Sequence, residues 1–391
     1  MTKVRKVAVV TSSRADYGIM RPVIRAMFDR AELDVQLLVT GSHLAQEHGQ
    51  TVHDIERDDI PISARIPILE GDDLPEHVSR TMARAIDGFA NTYAKNMPDL
   101  VMVLGDRYEM FAAALASVPF VVPLAHIHGG EITLGAFDNA FRHALTKLSH
   151  LHFVSTAEHR DRVIQMGEEP RYVFLTGAPS LDAVRTFEPL KHAELEQFIG
   201  MPLQQAPLLI TFHPETLSGR QADTDMRIVL SAAETFQGPI IITGANADVS
   251  GALVRQAAQA FAAAAPNRTY IPSLGSRAYF TVLRIAAAML GNSSSGIVES
   301  PSFAVPVVNV GDRQTGRLHP VNVIDCPCEV APISEALRRA CSAEFRHSLI
   351  GMSNPYGDGH AAARIANIVA TTALGPSLVR KEFWDLDKSG G

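Results

Sequence analysis

Short apolar runs that do not alternate with polar residues recur along the chain, each followed by a stretch of helical composition. In the first half they fall at Lys6–Val10, Val35–Val39, Leu100–Leu104, Phe120–Leu124, Leu151–Val154 and Tyr172–Leu175. Unbroken apolarity over four or five residues marks a strand covered on both faces. The stretches Arg21–Arg30, Glu76–Ala94, Met110–Ser117, Asp138–Ser149 and Ala157–Met166 predict the helices between them. The alternation then restarts, with strands predicted at Leu208–Phe212, Ile240–Ile242, Thr269–Ile271, Ala286–Leu290 and Val307–Val310. Helices are predicted at Thr224–Thr235, Ser250–Ala264, Ser276–Arg284, Gly296–Ser302 and Ile333–Ala340. Strand and helix in alternation predict parallel sheets with helices on both faces. At 391 residues the chain exceeds what one core normally supports, so two doubly wound α/β domains are expected. Their expected ranges are 1–182 and 183–360, joined through Thr176–Pro189, which Gly177, Pro179 and Pro189 punctuate. A C-terminal segment, 361–391, helical over Ala361–Leu374, is expected to return to the first domain. Its tail from Pro376 is expected to be the least ordered part.

In open parallel sheets, ligands bind beyond the carboxyl ends of the strands. The polar clusters of this chain follow strands: Thr11-Ser12-Ser13-Arg14, Gly105-Asp106-Arg107, His126 to Glu131, His213-Pro214-Glu215 and Gly291 to Gly296. They occur in both halves. A cleft lined from two facing sheets is the economical expectation.

Composition narrows the partners. Apolar residues make up 46% and charged residues 20%, as in soluble globular chains, which argues against wholesale disorder. With 35 Lys and Arg against 42 Asp and Glu the net charge is −7, so the basic footprint of a nucleic-acid binder is missing. Three cysteines supply neither a disulfide framework nor a zinc site. The apolar run Val7–Val10 is too short for a signal-peptide core. Between Glu109 and Glu131 no charged residue occurs, but Pro119, Pro123, His126, His128 and Gly129-Gly130 divide that stretch into helix, strand and loop. A soluble, cytoplasmic protein without a membrane partner is expected.

The run Asn292 to Gly296 precedes a predicted helix. Serine hydroxyls and free backbone N–H groups there suit a diphosphate, although ordinary capping would use one serine. Glu299 would follow in the first or second turn, to accept from a ribose diol or to complement the dipole. Arg14 is placed to fork onto phosphate oxygens, with Asp16 as its alternative structural partner. Neither a G-x-G-x-x-G after the first strand nor a P-loop occurs, which disfavours dinucleotide oxidoreductases and P-loop enzymes. Asp106, Glu131 and Asp138 form an acidic set. Carboxylates sharing a pocket push their pKa values apart and supply an acid and a base at one pH. The structural alternatives are an ion pair of Asp106 with Arg107, and for Asp138 a cap or an i,i+4 partner of Arg142. His126 and His128, two apart on strand-like backbone, would share a face, a weak metal signal. No metal and no cofactor are expected. For His213 a structural role and a ligand contact are equally open.

Together these stretches resemble the hydrolysing UDP-N-acetylglucosamine 2-epimerases of the sialic-acid and legionaminic-acid pathways. The resemblance rests on Val-Thr-Ser-Ser-Arg-Ala-Asp-Tyr-Gly from Val10, Thr-Gly-Ser-His-Leu from Thr40 and Leu-Gly-Asp-Arg-Tyr-Glu from Leu104. It continues through His-Ile-His-Gly-Gly-Glu from His126, Arg142-His143 before Thr146-Lys147-Leu148, Gly-Asn-Ser-Ser-Ser-Gly from Gly291 and Gly-Asp-Arg-Gln-Thr-Gly-Arg from Gly311. The Gly-Thr-Arg-Pro-Glu and His-Val-Glu-Ala-Gly-Leu-Arg stretches of the non-hydrolysing cousins are missing. The resemblance implies two Rossmann-like domains of glycosyltransferase-B architecture, with a UDP-sugar between them, assembled as a homodimer or homotetramer. It places substrate contacts on Arg14, Gly18, Arg107, Arg142, His213, Asn246, Leu274, Ser293, Ser294, Glu299 and Arg313. The implied acid–base positions are Asp106 and Asp138. Some relatives have Glu where this chain has His128, so the third position is open between His128 and Glu131.

The implied reaction has two stages. A base removes the C2 proton as UDP leaves C1, and water then adds at C1 while a proton returns to the opposite face of C2. The products are UDP and a free N-acetylmannosamine-type sugar, from UDP-N-acetylglucosamine or a 2,4-diacetamido-trideoxy analogue. A glycosyltransferase of the same architecture and a non-catalytic nucleotide-sugar sensor are the alternatives. Extra carboxylates beside a diphosphate would hinder a sensor.

Overall fold

The computed structural model describes residues 4–46, 50–70, 74–132, 138–213, 222–244 and 251–386. The described residues up to Glu131, those of 138–183 and those from Tyr356 onward form one compact unit, and Val184–Pro355 form a second. The first unit holds β1 (Arg5–Thr11), β2 (Leu33–Thr40), β3 (Ile62–Ile66), β4 (Leu100–Leu104), β5 (Leu124–Ile127), β6 (Leu151–Val154) and β7 (Val173–Leu175). Its sheet runs β3-β2-β1-β4-β5-β6-β7, parallel throughout. The second unit holds β8 (Leu208–Thr211), β9 (Ile240–Thr243), β10 (Arg268–Ile271), β11 (Ala288–Gly291), β12 (Val307–Val310) and β13 (Val323–Cys326). That sheet runs β10-β9-β8-β11-β12-β13, again parallel. Each sheet reverses its strand order once, between β1 and β4 and between β8 and β11, and such switch points are where open sheets bind ligands.

The central strands lack alternation because each supports two cores. Val7 and Val9 pack with Met20, Ile24 and Ile365 on one face, whereas Ala8 and Val10 pack with Ala85, Phe89 and Tyr93 on the other. Leu208 and Ile210 divide from Leu209 in the same way. Edge strands β3 and β13 are absent from the sequence reading for the converse reason. Ser63 and Arg65 of β3 are exposed and Ile62 and Ala64 only half-buried, and β13 keeps no residue fully buried.

Three further expectations need correction. The first helix spans Arg14–Phe28, starting one residue after the loop of β1 rather than at Arg21. Ser13 and Asp16 form its capping box, and Gly18 and Pro22 in its interior disguised it. Strand β5 begins at Leu124, not Phe120, because Val118–Phe120 forms a 3₁₀ turn and Val121 takes a left-handed φ of 58°. The tail is anchored over its described part, from Pro376 to Trp384, where a loose segment was expected. Leu378 is buried, Lys381 Nζ donates to the Ser149 carbonyl at 2.7 Å, and Trp384 N donates to the Gly167 carbonyl at 2.9 Å.

The helix Ala361–Thr371 does return to the first unit. Ala362, Ile365, Ala366 and Val369 join its core, and the Asp182 carboxylate accepts from Ala361 N at 2.9 Å and Ala362 N at 3.1 Å. Among the described residues no helix is long and apolar enough to cross a membrane.

Candidate active site

In the first unit the site is built from the carboxyl ends of β1, β4, β5 and β6. After β1, the Asp16 carboxylate accepts from Ser12 N at 3.0 Å, Ser13 N at 2.8 Å and the Ser12 hydroxyl at 2.8 Å. It therefore rigidifies this loop and is not the partner of Arg14. Arg14 extends from the first helical turn with 57% of its side chain exposed, 3.6 Å from Asp54. Gly18 lies one turn on, with open space where a Cβ would stand. The Thr40–Leu44 stretch supports the same loop. Gly41 takes φ +57°, and a Cβ there would lie 2.7 Å from the Ser12 carbonyl, so only glycine allows this approach.

After β4, Asp106 and Arg107 part company. Arg107 forks onto Glu109, with Nε–Oε2 at 3.1 Å and Nη2–Oε1 at 2.7 Å, and Glu109 is fully buried. Burial alone would lower the Arg107 pKa, but the Glu109 charge outweighs it and raises it. Asp106 instead makes a close ion pair with Arg142, whose other nitrogen donates to the His128 carbonyl at 3.0 Å and lies 3.9 Å from Glu131 Oε2. Arg142 is only 4% exposed. From the helix Asp138–Leu148 its fork thus draws together the loops that follow β4 and β5, and Asp106 lies 36 residues before it in sequence.

The two histidines after β4 do not share a face. His126 belongs to β5, fully buried, and donates from Nε2 to the Gly105 carbonyl at 2.7 Å. Burial first, and then that bond in opposition, leave its pKa pushed down to about 3, so it is neutral. His128 follows the strand with φ +66°, which ends the alternation and turns its ring elsewhere. Its Nδ1 hydrogen-bonds Glu131 Oε1, which also accepts from the Ser155 hydroxyl at 2.9 Å. His128 and Glu131 are therefore a single hydrogen-bonded pair. Among the described residues no His, Cys, Asp and Glu group of three or more is arranged to hold a metal ion.

Asp138 opens the helix Asp138–Leu148 that carries Arg142. Burial chiefly, and the nearby Asp106 charge next, push its carboxyl up to about 6. A carboxyl in that range exchanges protons near neutrality.

In the second unit the carboxyl ends of β8 and β11 lie side by side. Gly291 takes φ +136°, and a Cβ would stand 2.0 Å from the Thr211 carbonyl. Asn292 then clamps His213, accepting from its N–H at 2.7 Å and donating to its carbonyl at 2.9 Å. Arg313 Nη1 at 3.2 Å and Gln314 Nε2 at 2.7 Å both donate to the Asn292 carbonyl. Burial, and secondarily Arg313, push His213 down to about 3, which makes it a neutral imidazole. The predicted helix 296–302 is shorter than expected. One turn, Ser295–Val298, gives way to a 3₁₀ turn at Ser300–Phe303, because Pro301 cannot donate into a continuing helix. A one-turn helix contributes little dipole, so anion binding here would rest on the hydroxyls and N–H groups of Ser293 and Ser294. Glu299 ends that turn, half-buried. The Leu274 side chain is buried in the core, leaving its backbone for any contact. Asn246 lies outside the described residues.

Ser155 and Glu109 escaped the sequence reading. Ser155 follows β6 directly, so the strand-end rule pointed to it, and Glu109 sits inside the Leu104–Glu109 motif.

Two Rossmann-like parallel-sheet domains in one chain, with polar clusters at both switch points, define a protein of the glycosyltransferase-B class. The chain belongs to the UDP-N-acetylglucosamine 2-epimerase family, whose model matches residues 25–370. It is 36% identical over 382 residues to the UDP-N,N'-diacetylbacillosamine 2-epimerase (hydrolyzing) of Legionella pneumophila, covering 97% of this chain and 99% of that one. It is 34% identical over 384 residues to polysialic acid biosynthesis protein P7 of Escherichia coli, covering 98% of each. Among solved structures, UDP-GlcNAc 2-epimerase from Neisseria meningitidis bound to UDP-GlcNAc superposes with a TM-score of 0.80 at 19% identity. It covers 94% of this chain and 100% of that one, a likeness of fold.

Proposed function

We propose that this chain is a hydrolysing 2-epimerase that converts a UDP-linked 2-acetamido sugar to UDP and the free C2 epimer. The observation that carries the reading is the Arg142 junction. One buried guanidinium gathers Asp106, Glu131 and the loop of His128, and its own helix begins with Asp138. Asp106 and Asp138 handle the C2 proton as UDP departs from C1, leaving an unsaturated sugar. The His128–Glu131 pair serves the opposite face, where a proton returns to C2 as water adds to C1. Glu131 orients the imidazole in this scheme, so neither residue works alone. Arg14, Arg107, Ser293, Ser294 and Arg313 stabilise the departing diphosphate.

Full-length similarity to a relative named for a diacetamido sugar favours a UDP-2,4-diacetamido-trideoxyhexose over UDP-N-acetylglucosamine. Assaying UDP release from both should show faster turnover of the diacetamido sugar. Exclusive use of UDP-N-acetylglucosamine would reverse that preference.

Two further outcomes follow from the geometry. Arg14→Ala and Ser294→Ala should each weaken UDP binding by about 1.5–3 kcal/mol, the range for a charge-assisted hydrogen bond. Calorimetric affinities unchanged in both would remove the diphosphate assignment. For Asp138, the carboxyl is protonated below about 6 and ionised above it. Removal of the C2 proton needs the ionised form, so kcat/KM should rise as pH rises through about 6, and Asp138→Asn should lose that limb. A limb that persists in the variant belongs to another group.

A further inference from the structure

In the second unit one imidazole stands between two groups that can only accept. His319 Nδ1 lies 2.8 Å from Asp325 Oδ2, and its Nε2 lies 3.1 Å from the Gln314 carbonyl. A carbonyl oxygen has no proton to give, and neither has a carboxylate. A neutral imidazole donates from one nitrogen only, so both bonds form together only when the ring carries two protons.

Both ends of this strut are fixed. Asp325 lies on β13, and its Oδ1 accepts from Asn309 Nδ2 of β12 at 2.7 Å. Gln314 is buried, its carbonyl also accepts from Arg317 N at 3.2 Å, and its side chain donates to the Asn292 carbonyl. Hydrogen bonds therefore run from Asp325 through His319 and Gln314 to Asn292, which holds His213 and leads into Ser293 and Ser294.

We propose that His319 is a protonation-dependent positioning residue for the nucleotide loop Gly311–Arg317, an inference that rests on the nucleotide reading of this unit. As an imidazolium it ties the loop, and with it Arg313, to the sheet. When the ring loses a proton, one of the two ties is lost. Asp325 on β13 is the charged group that faces the ring, Asn309 on β12 is neutral, and Asp312, Arg313 and Arg317 are the loop's own charges. Because the second tie requires the cation, nucleotide affinity is greatest with the ring doubly protonated and falls as pH rises.

The test is calorimetric titration of the full chain with UDP from about pH 5 to 8. The terminal phosphate of UDP titrates in the same interval, so the comparison between proteins carries the result. His319→Gln should bind about tenfold more weakly than wild type at the acid end and converge with it at the alkaline end. His319→Arg, a permanent double donor, should keep the acid-end affinity throughout. Superimposed profiles for wild type and His319→Gln would overturn the strut and leave the nucleotide reading standing. Absence of UDP binding by the wild type at every pH would overturn the nucleotide reading itself.

Discussion

Asp106→Asn is expected to lower kcat by about a thousandfold, within the range that acid–base groups contribute, while UDP affinity stays within about twofold of wild type. The amide preserves the shape of the carboxylate but cannot exchange protons at C2. It also leaves Arg142 without its close ion partner and removes a charge that raises Asp138. The nucleotide contacts proposed around Asn292 belong to the second unit, and Arg107 in the first is held by Glu109 rather than by Asp106. A kcat within about tenfold of wild type, measured by UDP release, would place proton transfer elsewhere.

Arg142→Met should cost about 3 kcal/mol of stability, the low end for breaking a buried pair, because Asp106 keeps 21% of its side-chain exposure. The loss arises from carboxylates left without their cation, not from lost packing, since methionine fills much of the same volume. Urea denaturation of Arg142→Met alone and combined with Asp106→Asn measures this: removing the stranded carboxylate should recover part of the loss, and no recovery would show that packing dominates.

How much of this was legible in the sequence depends on which interaction decided each feature. The strands buried on both faces, such as β1, β4 and β8, announced themselves through unbroken apolar runs, because both neighbours of each strand are helix layers. Strands β3 and β13 did not, since exposed polar residues, Ser63 and Arg65 in one and Asp325 in the other, interrupt their apolar runs. The polar clusters were found through their position after strands, a consequence of the switch-point geometry, whereas Gly18, Arg142, Asn246, Leu274 and Arg313 came from the family resemblance alone. Their partners were not legible. Local reading offered Arg107 for Asp106 and Asp16 for Arg14, the sequence neighbours, as the structural alternatives. In the fold Asp106 reaches Arg142, Arg107 turns to Glu109, and Asp16 caps its own helix. The Asp106 choice is set by where segments 36 residues apart converge, which no local pattern encodes, whereas Glu109 and the Asp16 cap lie within four residues of their partners. The left-handed φ of His128 was hidden for the same reason, because the Arg142 bond to its carbonyl comes from a distant helix.

The same pairing logic bears on the position that sequence left open. Since His128 and Glu131 share one hydrogen bond, their losses should not add. His128→Gln combined with Glu131→Gln should be no slower than the worse single variant, and additive losses would make them independent groups.

The central claim is proton exchange at C2 coupled to loss of UDP, and one measurement addresses it directly. The reaction is run in D₂O with the UDP-linked acetamido sugar and no acceptor, and the sugar product is analysed by NMR. The account predicts free sugar of inverted C2 configuration, carrying deuterium at C2, formed in equal amount with UDP. UDP released beside a sugar that keeps C2 protium and its original configuration would contradict it.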